Sequence, residues 1–260
     1  MRVKDIASSQ NPWFKEVKNL LEKNRFRKKQ GRFTVEGLKE IELALKAGFS
    51  LQSIAYTDSN SNIGVLDLPD DVEYVRLSAI LWNELCVRGE VNNALGVFEN
   101  KEILGIPQAV KSIVIVEKVE KPGNLGAIIR TADAAGIGEI WLCDAQVDPF
   151  HPQVIRNSLG TVFHVPIRSF TFEECLKRIE DLQLRVYTTF MDDALEMYEA
   201  DFNVDCALVL GTEHEGVDER WRKIGVNIKI PMTGNIDSLN VSVAGAVLMY
   251  EVLRQRRNKA

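Results

Sequence analysis

The chain has 260 residues, 45% hydrophobic and 27% charged, with a formal net charge of −5 and a pI near 5.4. Those figures fit one large domain or two moderate ones and exclude a wholly basic nucleic-acid binder. Charge is nevertheless uneven: residues 1–35 hold ten Lys/Arg against three Asp/Glu, an excess of seven. An acidic protein can still bind nucleic acid through such a patch. Cys86, Cys143, Cys175 and Cys206 are widely spaced and form no C-x-x-C, so neither a metal site nor a disulfide framework is expected. The opening "MRVKDIASSQNPWFKEVKN" has no apolar signal core. The apolar run from Val241 to Tyr250 is too short to span a membrane and is closed by Glu251. A soluble cytoplasmic protein is expected.

In chain order, "PWFKEVKNLLEKN" carries Trp13, Phe14, Val17, Leu20 and Leu21 at helical spacing. "VEGLKEIELALKAG" repeats that spacing and stops at Gly48, which is suited to a helix end. "LQSIAYT" and "VEYVRLS" predict strands. "SAILWNELC" predicts a short helix opened by Ser78, and "NALGVFE" a returning strand. Residues 100–112 form a candidate linker. From Ser112 the pattern changes. "SIVIVEKV" is a continuous apolar run of strand length, as in a strand covered on both faces. "NLGAIIRTADAAG" predicts a helix. "EIWLCD", "VFHVPI", "LRVYTTF", "CALVLG" and "NIKIPM" are further strand candidates, separated by helical "PQVIRNSLG", "FEECLKRIEDL" and "VDERWRKI". Alternating strands and helices predict a mostly parallel sheet flanked by helices. The expected domains are 1–105 and 106–260. Ligands of such sheets bind beyond the carboxyl ends of the strands, which directs attention to the loops after "SIVIVEKV", "CALVLG" and "NIKIPM".

Those three loops are unusual. In "EKPGNLGAIIR", Pro122 and Gly123 suit a tight turn, Gly126 permits close backbone approach, and Asn124 can cap the following helix. Arg130 lies six residues on, roughly on the same helix side. A capped helix with a surface arginine explains this loop equally simply. Neither G-x-G-x-x-G nor G-x-x-x-x-G-K-[ST] occurs, so no dinucleotide fingerprint or P-loop is supported. In "LVLGTEHEGVDERW", Gly211 and Gly216 bracket Glu213, His214 and Glu215. With no second His or Cys near in sequence, His214 is read as solvent-facing. In "IPMTGNIDSLNVSVAGAVLMYE", a strongly apolar helix begins with Asp237, Ser238, Asn240 and Ser242. Ser238 or Asn240 could cap it. One cap needs one side chain, so the surplus polarity points to a site wall.

In this order the three loops resemble the three motifs of the SpoU (TrmH-like) branch of the SPOUT methyltransferases. "VIRNSLGTVFHVP" looks like the same family, and "IASSQNPWFKEVKNLLEKNRFRKKQGRFTVEGLKEIELAL" resembles the substrate-binding domain many members carry. The resemblance implies an α/β fold whose mostly parallel sheet, flanked by helices, ends in a C-terminal trefoil knot, plus a smaller N-terminal α/β RNA-binding domain. It also implies S-adenosylmethionine as cofactor, a homodimer, and methylation of a ribose 2′-hydroxyl in RNA. Residue by residue it implies a catalytic set of Asn124, Arg130, Glu213, Ser238 and Asn240. The implied cofactor-binding residues are Gly211, Thr212, Glu213, Gly216, Ile230, Met232, Ser238, Leu239 and Asn240. Lys121 stands where an acidic or small polar residue is common, and Ala135 where an aromatic is common; both bear on substrate detail.

The family is often described with the first-motif arginine as a base. A guanidinium gives up its proton at high cost, so a bidentate clamp on an RNA phosphate is an equally physical role for Arg130. The basic segment "KNRFRKKQGRF" offers Arg25, Lys28, Lys29 and Arg32 for RNA phosphates. Its Phe26 could stack on bases, whereas Phe33 is expected in the core. The tail "RQRRNK" could add to RNA contact or complement the helix dipole. No metal is required. Ribosomal RNA is the expected substrate, and transfer RNA the alternative. A non-catalytic RNA-binding protein and a base methyltransferase of another branch are the competing classes.

Overall fold

The computed structural model describes residues 3–58, 64, 66–87, 93–101, 112–212 and 216–257. The chain forms two compact units. One comprises Met1–Glu102 with Phe150–Phe163, and the other Ile103–Pro149 with His164–Ala260. Residues 150–163, which follow the start of the expected second domain in sequence, thus belong to the N-terminal unit. The linker read at 100–112 lies mostly outside the described residues.

The first unit is built on a five-stranded mixed sheet in the order β1-β4-β3-β5-β2, with β1 Val3–Ile6, β2 Arg32–Glu36, β3 Leu51–Tyr56, β4 Glu73–Leu77 and β5 Leu95–Glu99. β5 runs antiparallel to both β2 and β3. Helix α1 (Pro12–Glu22) has proline at its start and Asn11 as side-chain cap. Its Trp13, Phe14, Val17 and Leu20 are buried, as their spacing requires. Helices α2 (Asn24–Gln30), α3 (Leu38–Lys46) and α4 (Ala79–Leu85) follow, and Ser78 caps α4 by accepting the Leu81 N–H. α6 (Pro152–Asn157) also belongs to this unit. Phe33 is fully buried and stacks on Phe98, Phe150 and Phe163, with centroids 5.7, 4.4 and 6.0 Å away. This aromatic cluster draws residues 150–163 to the unit, because two of its rings come from that segment.

The second unit holds a seven-stranded sheet in the order β10-β12-β9-β11-β6-β7-β8. The strands are β6 Ser112–Glu117, β7 Glu139–Cys143, β8 Ile167–Phe170, β9 Arg185–Thr189, β10 Leu195–Glu196, β11 Cys206–Leu210 and β12 Val226–Lys229. All its pairings are parallel. β6, β7 and β11 are buried at every position, which explains the continuous apolar runs at Ile113–Val116, Ile140–Cys143 and Cys206–Leu210, with Ser112, Glu117 and Glu139 confined to strand ends. Side chains alternate between the two faces. One face carries Ile113, Ile115, Ala207 and Val209 against Phe172, Cys175 and Ile179 of α7 (Phe172–Asp181). On the other face Leu210 meets α8 (Val241–Arg257) where Gly245 leaves room, and Ile128 of α5 (Pro122–Ala135) packs nearby. All four cysteines are buried and unbridged.

Several expectations differ from the structure. "VFHVPI" is not a strand. Thr161–Phe163 form a 3-10 turn that buries Val162 and Phe163, and the strand begins at Ile167. "VDERWRKI" forms a 3-10 turn at Glu219–Lys223 rather than an α-helix. Asn124 is not a helix cap. α5 already starts at Pro122, so Pro122 and Gly123 form its first turn and Asn124 lies within it. Proline favours that first position because its missing N–H would be unpaired there anyway.

Candidate active site

β9 lies between β11 and β12, all parallel, so their C-terminal ends share one sheet edge. A cavity of about 330 Å³ opens beyond that edge. β9 contributes Thr189, with Phe190 and Met191 after it. β11 contributes Leu210, followed by Gly211 and Thr212, with Gly216 across the hairpin. Ile228, Lys229, Ile230 and Met232 come from β12 and its continuation. Asp237, Ser238 and Leu239 come from the segment leading into α8, and Val241 and Ala244 from the helix itself. The walls are mainly apolar, with a few convergent polar groups, as ligand sites generally are.

Glycine is obligatory at Gly211. A Cβ there would overlap the Gly216 carbonyl. Thr212 and Gly216 exchange backbone hydrogen bonds of 2.8 and 3.2 Å across the hairpin. Gly216 takes the left-handed φ of 69° that glycine tolerates. Glu213, His214 and Glu215 lie outside the described residues.

The polar cluster before α8 has a double role. Asn240 Oδ1 accepts the Ser242 N–H at 2.9 Å and the Ser242 hydroxyl at 2.6 Å. Asn240 is therefore the helix cap. With Oδ1 committed to a backbone donor, the amide orientation is fixed. Asn240 Nδ2 then donates to Asn124 Oδ1 at 3.2 Å. Residues 116 positions apart are thus joined by the same side chain that starts the helix. Ser238 is exposed on the cavity wall.

A charged cluster supports the hairpin from behind. Glu117 ends β6, is 1% exposed, and accepts the Asp218 N–H at 2.8 Å. Lys118 Nζ donates to Asp218 Oδ2 at 2.8 Å. Asp218 Oδ1 accepts the Arg220 N–H at 3.0 Å. Burial pushes the Glu117 carboxyl above its usual range, opposed by the Asp218 N–H and the adjacent Trp221. The Lys118 ammonium, then Arg220, holds the Asp218 carboxyl well below its own. The two groups therefore have opposite pH signatures. Glu117 favours the fold when protonated, and this contribution is lost as pH rises through its raised pKa. Asp218 favours the fold when ionised, and loses that contribution as pH falls through its lowered pKa. Glu117→Gln, which stays neutral, should consequently gain stability relative to the wild type as pH rises from the ordinary carboxyl range through the raised Glu117 pKa. Denaturant unfolding at a series of pH values measures this. A difference that is flat, or that moves the other way, contradicts it.

Residues 111–250 match the SpoU rRNA methylase family, and residues 11–96 match the MRM3-like substrate binding domain. The chain belongs to the SpoU rRNA methylase family. It is 28% identical over 259 residues to the 23S rRNA (guanosine(2553)-2'-O)-methyltransferase RlmP of Bacillus subtilis (strain 168), covering 96% of this chain and 99% of that one. A crystal structure of an RNA 2'-O ribose methyltransferase has a TM-score of 0.84 at 35% identity, with 98% and 100% of the two chains covered. The AdoMet-bound rRNA methyltransferase from Sinorhizobium meliloti has a TM-score of 0.81 at 28% identity, with 97% and 98% covered. As a member of this family the chain is an S-adenosylmethionine-dependent RNA 2′-O-ribose methyltransferase.

Of the residues the family motifs single out, Gly211, Thr212, Gly216, Ile230, Met232, Ser238 and Leu239 line the one cavity. Asn240 and Asn124 meet through their hydrogen bond. Arg130 is exposed on α5. In the N-terminal unit, Arg25, Lys28 and Lys29 are exposed on α2, whereas Arg32 is paired with Glu16 at 3.0 Å. Neighbouring Arg27 is buried and donates to the Leu20 carbonyl at 2.7 Å, closing the end of α1. Phe26 packs on the core. In the basic tail, Arg254 pairs with Glu251, and Arg256 donates to the Phe202 and Val204 carbonyls. Sequence reasoning missed Thr189, Phe190 and Met191. "LRVYTTF" was legible as a strand, but nothing in its order along the chain places it beside β12. Among the described residues no helix is long and apolar enough to cross a membrane, and no group of three or more His, Cys, Asp or Glu could hold a metal ion.

Proposed function

We propose that this enzyme methylates a ribose 2′-hydroxyl of ribosomal RNA, binding S-adenosylmethionine in the cavity beyond β9, β11 and β12. The observation that carries this is the convergence of the three motif loops: two line one cavity, and the third is joined to it by the Asn124–Asn240 hydrogen bond. The residues fit the donor. The cavity is within the roughly 300–1,000 Å³ range of ligand pockets. Leu210, Ile228, Ile230 and Leu239 offer apolar surface, while Lys229 and Asp237 bring one charge of each sign for a zwitterionic amino-acid end. When bound, the donor supplies an electrophilic methyl group on a sulfonium.

The protein's own residues position the acceptor. Methyl transfer needs an in-line hydroxyl at near-attack distance, held while its proton leaves. Asn240 cannot rotate without giving up its helix cap, so it and Asn124 form a fixed polar pair; Ser238 adds a hydroxyl on the cavity wall. Exposed Arg130 clamps an RNA phosphate, a role that suits a guanidinium better than proton abstraction. Glu213, the acid of the second motif, has a supporting rather than a direct role in this reading. No metal enters this chemistry. A knotted C-terminal topology, a homodimer and a cytoplasmic location belong to the same reading.

Support for ribosomal RNA comes from the Bacillus subtilis relative, named for 23S rRNA and matched almost end to end. A competition assay with equal ribosomal and transfer RNA tests the choice. Ribosomal RNA should be labelled at least about tenfold faster, a preference of about 1.4 kcal/mol; faster labelling of transfer RNA would reverse it.

The exposed cations of α2 should bind phosphates. Replacing Arg25, Lys28 and Lys29 by Ala should lower the slope of log affinity against log salt by about 2 to 3. Binding titrations at several salt concentrations read this, and an unchanged slope removes α2 from the RNA interface. Arg27→Ala should instead lower stability by about 1.5–3 kcal/mol, as loss of a charged buried hydrogen bond does.

A further inference from the structure

We infer that Glu117, acting with Lys118, is a positioning residue that clamps the paired Thr212 and Gly216 backbones against the end of β6 and so holds the donor cavity in shape. Glu117 takes part in none of the chemistry described above. It is a carboxylate buried at the end of a central strand, where an apolar residue would pack without a desolvation cost. Its one completed contact is informative. Oε2 accepts the backbone N–H of Asp218, 101 residues away and just past the hairpin. The other oxygen and the Trp221 indole N–H are buried beside each other without completing a hydrogen bond.

Lys118 makes the second tie. It adopts a left-handed φ of 49°, rare for a residue with a side chain. Its N–H donates to the Cys143 carbonyl at 2.9 Å, while its Nζ holds Asp218 at 2.8 Å. Asp218 in turn caps the 3-10 turn that carries buried Trp221. The hairpin is therefore fixed at its start by β11, across its middle by the Thr212–Gly216 bridge, and at its exit by Glu117 and Lys118. Gly211, Thr212 and Gly216 face the cavity from within this frame. Glu117 and Lys118 also begin the loop that delivers Asn124 to Asn240. One strand end thus sets both the donor wall and the acceptor-side asparagine. A dipolar tie suits this task, because a hydrogen bond fixes direction whereas apolar packing does not.

The inference rests on the function proposed above, and two measurements separate their failures. Hydrogen exchange, read without donor, tests the clamp alone. In Glu117→Met the Thr212, Gly216 and Asp218 amides should exchange at least about tenfold faster, with β6 and β11 amides unchanged, as for loss of one charged hydrogen bond. Equal exchange in variant and wild type overturns the clamp. Binding of S-adenosylmethionine then tests its purpose. Glu117→Met should weaken donor affinity about tenfold and leave the KM for RNA within about twofold. Glu117→Gln, which keeps an acceptor for Asp218, should fall between. Should Glu117→Met not fold, Lys118→Met cuts the part-buried second tie instead, and should weaken donor affinity by about threefold. Unchanged donor affinity, or equal losses for donor and RNA, overturns the positioning role. A wild type whose exchange pattern holds but which binds no S-adenosylmethionine would overturn the proposed function and leave the clamp intact.

Discussion

Asn240→Asp should leave the fold intact and lower kcat about 100-fold, as removal of one preorganised donor does. The substitution separates the two roles of this side chain. Aspartate keeps the oxygen that accepts the Ser242 N–H and hydroxyl. It also favours a helix N-terminus electrostatically, so thermal stability should change by less than about 0.5 kcal/mol. What disappears is Nδ2, the donor to Asn124. Asn240→Ala removes both roles and should cost about 1 kcal/mol of stability besides the rate loss. Melting temperatures and single-turnover methyl transfer on the same samples measure the two effects. An aspartate variant with wild-type kcat would reduce Asn240 to a helix cap and take the polar cluster out of the site.

Gly211→Ala should have the other large effect. The new methyl would overlap the Gly216 carbonyl, which is backbone held by the Thr212–Gly216 bridge and cannot swing away as a flexible side chain could. The hairpin must open, with an expected cost of about 2–3 kcal/mol in stability and about 100-fold or more in S-adenosylmethionine affinity. Gly216→Ala is the contrasting case. There the space around the new methyl is open and only the positive φ is unfavourable, so about 1–2 kcal/mol is expected. Calorimetric donor binding to both variants decides the point. Equal, small losses would mean that the hairpin does not shape the donor wall.

Much of the second unit was legible because its sheet is buried on both faces. β6, β7 and β11 have no polar face to break their apolar runs, so each stands out as a strand of the right length. The polar surplus before α8 was legible for a related reason. One cap could not account for Asp237, Ser238, Asn240 and Ser242 together, and the structure shows Asn240 serving as cap and as partner of Asn124. Other features depend on contacts remote in sequence. β2 holds Phe33 in an aromatic cluster shared with Phe150 and Phe163, which sequence order assigns to the other domain. The start of α5 at Pro122 overrode the expected turn, because proline suits a first helical position as well as it suits a turn. The Glu117–Asp218 tie spans 101 positions and has no local signature. Thr189 reaches the cavity only because β9 lies between β11 and β12.

The most direct test is transfer of labelled methyl from S-adenosylmethionine to ribosomal RNA by the wild-type enzyme, followed by digestion to nucleosides. The expected product is a single 2′-O-methylribonucleoside, formed about 100-fold more slowly by Asn240→Asp. Label on a base, or no label in ribosomal RNA from an enzyme that binds the donor, would contradict the assignment of this cavity to ribose methylation of ribosomal RNA.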